Sequence, residues 1–388
     1  MSEKVRRPLL DRLGKEWLFF DGGTGTALQE KGLKGGELPE LWNLTRPEDI
    51  IDLYCGYLNA GCDIFNTNTF GANALKFPGT APGSEEPHGQ LRQIVESAVK
   101  LAIEARRITD REDAYIALDI GPTGRLLEPL GDLPFESAVE LFGEVVRMGA
   151  EAGADLVLIE TMSDSYESKA AVLAAKENCD LPVLITNVYD GSGKLLTGGT
   201  VDSTVALLEG LRVDGLGVNC GLGPEQMIPI IRRLTETASV PILVNPNAGL
   251  PRAENGRTVY DVDPETFASW MKKIAEMGVQ AVGGCCGTTP EHIRRTVQAV
   301  RGSAGLNEKE SACVNGKSGV ASGGSCKETT SDQGVPFVPN TKKGRTVVSS
   351  FSRAVEIGKK PVIIGERINP TGKRSLKRLC EKTISNIS

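Results

Sequence analysis

Eight short apolar, β-branched runs alternate with longer segments of helical periodicity. That alternation constrains the fold more than any other feature of the sequence. The runs are Trp17–Phe20, Cys62–Asn66, Tyr115–Asp119, Leu156–Glu160, Val183–Asn187, Leu216–Cys220, Ile242–Asn245 and Gln280–Gly284. Between them, apolar residues recur at helical spacing over Gln90–Arg107, Ser137–Ala152, Ser168–Glu177, Glu225–Glu236 and Pro264–Met277. Strands that are apolar throughout, each followed by a helix, imply a parallel sheet buried on both faces. Eight such units predict an α/β fold, a (β/α)8 TIM barrel, with a doubly wound open sheet as the runner-up.

The pattern stops after Arg301. Residues 302–334 hold seven Gly and six Ser with few large apolar side chains, the composition of a flexible linker. Order is expected to resume near Thr346, with a short helical pattern over Ser350–Ile357 and a strand at Pro361–Gly365. The division is therefore a barrel over 1–302, a Gly/Ser-rich linker over 303–341, and the incomplete start of a second domain over 342–388.

Charge and composition exclude several classes. The net charge of −6 conceals a tail, Thr341–Ser388, with 12 Lys/Arg against 3 Asp/Glu, so the body before it is strongly acidic. An acidic body argues against nucleic acid as a partner. The charged opening MSEKVRRPLLDRLGKEW lacks the apolar run of a secretory signal, and no stretch approaches ~18 apolar residues. The expectation is a cytoplasmic protein without a membrane partner. Nine cysteines without a secretory signal read as reduced thiols. The two histidines, His88 and His292, read as ordinary surface residues.

In a barrel of this type the strand C-termini and the loops after them carry the chemistry. The expected ends are Asp21-Gly22-Gly23, Asn66-Thr67-Asn68-Thr69, Asp119, Glu160-Thr161, Asn187, Asn219-Cys220-Gly221, Asn245-Pro246-Asn247 and Cys285-Cys286-Gly287. Three thiols stand out: Cys220 ends strand six, and the pair Cys285–Cys286 ends strand eight. Three thiolates with no histidine nearby favour Zn2+, and three protein ligands leave the fourth tetrahedral position open, the mark of a catalytic site. The alternative is buried free cysteines, the reading taken for Cys55, Cys62, Cys179 and Cys380. Cys313 and Cys326 fit no zinc spacing. The run GGTGTA lacks the complete dinucleotide-loop spacing and reads as a tight turn near a small anion. No G-x-S-x-G elbow is present.

FFDGGTGTALQ, NTNTF, LIET, GVNCG, NPNAG and GGCCGT, in this order, resemble the homocysteine S-methyltransferase family over roughly residues 10–300. The tail IIGERINPTGK resembles the opening of the pterin-binding barrel that follows this module in cobalamin-dependent methionine synthases. The resemblance implies Cys220, Cys285 and Cys286 as metal-binding and catalytic residues, with Asn247 a candidate fourth ligand. It implies homocysteine as substrate, with Asp21 and Glu160 for its ammonium, the backbone around Gly22 and Gly23 for its carboxylate, and Asn219 in the same site. The two carboxylates could instead be structural ion-pair partners. The implied methyl donor is methylcobalamin presented by a corrinoid module or protein, since no D-x-H-x-x-G signature is present. The rivals are a stand-alone enzyme using S-methylmethionine or a betaine, and an inactive zinc-thiolate fragment.

Overall fold

The structure is a computed structural model that describes residues 6–77, 89–254, 257–314, 346–350 and 352–357. Its strands in chain order are β1 (Leu18–Phe19), β2 (Ile64–Asn66), β3 (Tyr115–Ile120), β4 (Leu156–Met162), β5 (Val183–Asn187), β6 (Gly215–Asn219), β7 (Ile242–Asn245), the excursion β8 (Arg252–Glu254) and β9 (Arg257–Val259), and β10 (Ala281–Val282). Its helices are α1 (Leu9–Arg12), α2 (Thr24–Glu30), α3 (Trp42–Thr45), α4 (Pro47–Ala60), α5 (Gly89–Ile108), α6 (Phe135–Ala152), α7 (Ser165–Asn178), α8 (Val201–Gly210), α9 (Pro224–Thr237), α10 (Pro264–Glu276) and α11 (Pro290–Val314).

Eight strands pair in parallel in the order β1-β10-β7-β6-β5-β4-β3-β2. A bridge between Phe20 and Ile64 joins the two ends, with Asp63 N–H donating to Phe19 O at 2.7 Å and Asp21 N–H to Ile64 O at 3.1 Å. The sheet thus closes into the expected (β/α)8 barrel, and the open-sheet alternative falls away.

Side chains alternate across each strand, so one apolar set faces the helices and another fills the barrel. Leu18, Phe20, Ile64, Tyr115, Ala117, Leu156, Leu158, Leu184, Leu243 and Ala281 form the inner cluster. Leu9, the first residue of α1, and Leu13, just after its end, join that cluster and plug one mouth of the barrel. At the same mouth the buried Asp63 carboxylate pairs with Arg12 at 3.0 Å and Arg301 at 3.7 Å. The outer set packs under the helices in a larger cluster that includes Phe19, Phe65, Ile116, Val157, Ile185 and Val244.

Two expectations are corrected. The last helix does not stop at Arg301 but runs to Val314. The described residues of the stretch expected to be helical are not: Thr346–Ser349 (β11) and Ala354–Ile357 (β12) pair as an antiparallel hairpin lying against α8. Val347, Val348, Val355 and Ile357 are β-branched, which favours the extended chain over a helix of only two turns. Pro361–Gly365, His88, Cys326 and Cys380 lie outside the described residues.

Candidate functional site

Within the barrel the inward positions turn from apolar to polar in a single step. Ile64 is followed two residues on by Asn66, Ala117 by Asp119, Leu158 by Glu160, Leu184 by Thr186, and Leu243 by Asn245; Asn219 holds the equivalent place on β6. Because strand side chains repeat every two residues, these six form one inward layer at the C-terminal mouth. Asp119, Thr186, Asn219 and Asn245 are buried within it.

Asn219 ties the layer together. Its Oδ1 accepts from Thr161 N–H at 2.9 Å and from Thr186 Oγ1 at 2.8 Å. Its Nδ2 donates to Thr161 Oγ1 at 2.8 Å, to Glu160 Oε2 at 3.4 Å and to Cys285 Sγ at 3.9 Å. One amide thus joins the acidic side of the site to the sulfurs.

The three thiols converge above this layer. Cys220 follows β6 in a left-handed conformation, φ 54°, its N–H held by Asn245 O at 3.1 Å. Cys285 N–H donates to Pro246 O at 2.8 Å, and Cys286 O accepts from Ala248 N–H at 3.0 Å, so the loops after β7 and β10 lock together. The Cys220 and Cys285 sulfurs each lie 4.0 Å from that of Cys286, and all three fall within 4.8 Å of one another. Zinc–sulfur bonds of ~2.3 Å at tetrahedral angles require sulfurs about 3.8 Å apart, so the trio fits such an ion. Hydrogen bonds from Cys220 and then Cys285 hold the Cys286 thiol down to about 3 despite burial, and Tyr260 adds another. Those contacts with Cys220 and Cys286, and then burial, push Cys285 up. The neighbouring thiols therefore favour the thiolate at Cys286, while Cys220 and Cys285 are shifted towards their protonated forms. Asn247 lies one residue before Ala248, and its Oδ1 is buried without a hydrogen-bond partner.

Two carboxyl groups, those of Asp21 and Glu160, share the barrel mouth with this cluster. Burial pushes Asp21 up to about 7, although its Oδ2 accepts from Asn66 N–H at 2.8 Å. Burial, then Asp21 and Cys286, push Glu160 up to about 8. Neither contacts a cationic side chain among the ion pairs of the described residues, against the alternative of structural ion-pair partners. Gly22 and Gly23 form the turn into α2. A Cβ at Gly22 would lie 2.6 Å from Thr288 Oγ1, and one at Gly23 would lie 2.8 Å from Cys285 O. Only glycines let this turn approach the cysteine loop so closely. Gly23 already spends its N–H on Thr288 O and Oγ1, at 3.2 and 3.1 Å.

Asn66, Asp119 and Asn245 stand among the expected polar strand ends, but without an individual role in the site; Tyr260 was not expected there at all. Tyr260 follows the β8–β9 excursion, for which the sequence carries no comparable signal. His292 is no surface residue: it is 6% exposed, with Nε2 at 2.9 Å from Val262 O and Nδ1 at 2.9 Å from Thr289 Oγ1. It anchors the loop before α11. Cys55 and Cys179 are partly buried and Cys62 is buried, apart from the trio.

Comparisons with known proteins agree with this geometry. The methionine synthase of Mycobacterium leprae (strain TN) is 30% identical over 390 residues, covering 94% of this chain and 29% of that protein. The methionine synthase of Mycobacterium tuberculosis (strain ATCC 25618 / H37Rv) is 32% identical over 311 residues, 75% of this chain and 25% of that protein. The chain thus spans less than a third of the length of these relatives. The homocysteine methyltransferase MmuM from Escherichia coli shares the fold. Its apo form has a TM-score of 0.59 at 23% identity, over 76% of this chain and 98% of that one. Its metallated form has a TM-score of 0.61 at 23% identity, over 74% and 97%. The sequence model for homocysteine S-methyltransferase matches residues 18–300, nearly the whole barrel, and the chain belongs to the homocysteine S-methyltransferase family.

Proposed function

We propose that this chain is the homocysteine-binding module of a zinc-dependent, methionine-forming methyltransferase whose methyl donor is methylcobalamin on another module or protein. The observation that carries the reading is the convergence of Cys220, Cys285 and Cys286, with all three sulfurs within 4.8 Å of one another, in the same barrel mouth as the buried Asp21 and the half-buried Glu160. The name methionine synthase on the relatives, and a metallated form among the similar structures, point the same way.

The three cysteines would hold zinc, and the buried, unpartnered Oδ1 of Asn247 would be the oxygen that completes the set. When bound, the cation stabilises a thiolate near neutral pH, where a free thiol with a pKa of ~8.5 is mostly protonated. Asp21 and Glu160 would receive the substrate ammonium, and the close-packed turn at Gly22–Gly23 its carboxylate. Asn219 fixes Glu160 relative to Cys285, and so fixes the distance between the two ends of the substrate. In the transfer, a bond forms between the homocysteine sulfur and the methyl carbon. The bond from that carbon to the donor breaks, and its electron pair stays with the donor. We place the protein in the cytoplasm. Residues beyond Val314 are read as a connecting segment and the opening of a second, pterin-binding domain.

Metal analysis and a donor panel test this on the full chain. The expected results are about one zinc per chain, lost in the Cys285→Ala/Cys286→Ala variant, and methionine formed from methylcobalamin. Full zinc retention in the variant would sink the metal assignment. Preferential use of S-methylmethionine or betaine would move the chain to the stand-alone class.

A further inference from the structure

Asp119, at the C-terminal end of β3, is a buried carboxylate with no role in the reading above. It is 5% exposed, and its Oδ1 has no hydrogen-bond partner. Asp63, Glu167 and Asp164 are matched within the protein, and Glu40 accepts from Gly71 N–H through Oε1 although its Oε2 has no partner. Asp63 accepts from Phe19 N–H at 3.1 Å and pairs with Arg12. Glu167 accepts from Thr123 Oγ1 at 2.6 Å, and Asp164 from Tyr166 N–H at 3.1 Å. A buried carboxyl oxygen left without a donor is costly, so its presence calls for a partner from outside the chain.

The surroundings of Asp119 define that partner. Its electrostatic neighbours are Glu160, Asp21 and Glu40, all acidic, and together with burial they raise its carboxyl well above the usual range. The Oδ1 atoms of Asn66 and Asn245, in the same inward layer, are also buried and unpartnered. The layer therefore holds three buried oxygens without a donor, those of Asp119, Asn66 and Asn245. A group that satisfies it must be cationic and carry several N–H bonds, as a primary ammonium does. Asn219 links Glu160 to Cys285, so such a group would sit one amide's reach from the sulfur cluster.

We infer that Asp119 is the third carboxylate of an ammonium seat shared with Asp21 and Glu160, and that it selects α-amino thiols over thiols lacking the amino group. The inference rests on the proposed function, since it takes homocysteine as the occupant. An ammonium has three N–H bonds, and the three carboxyls supply one acceptor for each.

The test measures binding to the zinc-loaded full chain of homocysteine and of 4-sulfanylbutanoate, which is homocysteine without its amino group. Asp119→Asn keeps the side-chain volume and removes the charge. The variant should bind homocysteine about 10–100-fold more weakly, the loss expected for one charge-assisted hydrogen bond, with 4-sulfanylbutanoate unchanged. Its Tm should stay level or rise, because an unmatched buried carboxylate is gone. Asp119→Ser should repeat the pattern and guards against a local packing effect of the amide. Unchanged homocysteine affinity, or an equal loss for both thiols, overturns the assignment while the proposed function stands. If the wild type binds neither thiol, the proposed function fails and the inference with it.

Discussion

Asn219 commits both ends of its amide to the frame of the site, and that commitment sets the strain beside it. Thr161 is β-branched yet sits at φ 62°, a left-handed conformation such residues rarely adopt. Asn219 holds it there through both the N–H and the hydroxyl. The strained turn re-aims the chain directly after Glu160, the carboxyl that burial pushes up to about 8. A carboxyl whose pKa is higher in the folded than in the unfolded protein stabilises the fold while protonated. That contribution is complete below the unfolded value near ~4 and is lost as pH rises through the folded value. With Asp21 at about 7 and Glu160 at about 8, the substrate-free protein should lose stability as pH rises from 6 to 9. Each group still protonated in the folded protein but ionised in the unfolded chain adds a slope of up to ~1.4 kcal/mol per pH unit, and the slope fades once the folded group ionises. Thermal melts across this range, at fixed zinc content, should show a shallower fall for Glu160→Gln than for the wild type. Parallel curves would mean that Glu160 does not titrate in this window. Homocysteine should offset the fall in the wild type, because its ammonium favours the ionised carboxyls.

At the scale of elements, the short helix α1 matters beyond its four residues. Leu9 and Leu13 enter the inner cluster with Leu18, Phe20 and Tyr115, so this segment closes the mouth opposite the site. Leu13→Ala should destabilise the chain by about 2–4 kcal/mol, the range for truncating a buried leucine. Urea denaturation should show the loss with the zinc content unchanged. A cost below ~1 kcal/mol would mean the plug is not integral to the barrel. The strands themselves were largely legible. Val183–Asn187 and Ile242–Asn245 coincide with their expected bounds, because parallel strands buried on both faces read as unbroken apolar runs ended by a polar residue. Gln280–Gly284 shrinks to two paired residues, although Gly283 N–H still donates to Val244 O at 3.2 Å and Gly284 N–H to Asp21 O at 2.9 Å. The hairpin at Thr346–Ile357 was misread because apolar residues three and four apart satisfy a helical template even when β-branched. The cysteine trio was legible because parallel barrel strands fix where each strand end lies. Asp119 was legible only as a polar strand end; its lack of a partner is a property of packing.

At the scale of the whole molecule, every residue assigned to the site lies between Asp21 and Cys286, and the barrel closes on itself. Closure leaves no sheet edge for later residues to complete. The segment after the barrel meets it at α8, where the β11–β12 hairpin lies with Val347, Val348 and Val355 each more than 40% exposed. Such a contact covers little apolar surface, and burial at ~25 cal/mol per Å2 is what would make it stabilising. The zinc and homocysteine sites should therefore be independent of it. The informative cut is after Val314, where α11 ends, and not after Arg301: Arg301 pairs with the buried Asp63 and stacks on Phe19, its guanidinium 5.1 Å from the ring centroid. A 1–314 fragment should keep about one zinc per chain and bind homocysteine within about two-fold of the full chain, a difference of ~0.4 kcal/mol. Its Tm should match that of the full chain. If zinc is lost or the Tm falls by more than ~4 °C, a change of about 1–2 kcal/mol in a domain this size, the hairpin belongs to the barrel's own stability. The boundary would then have to move past Ile357.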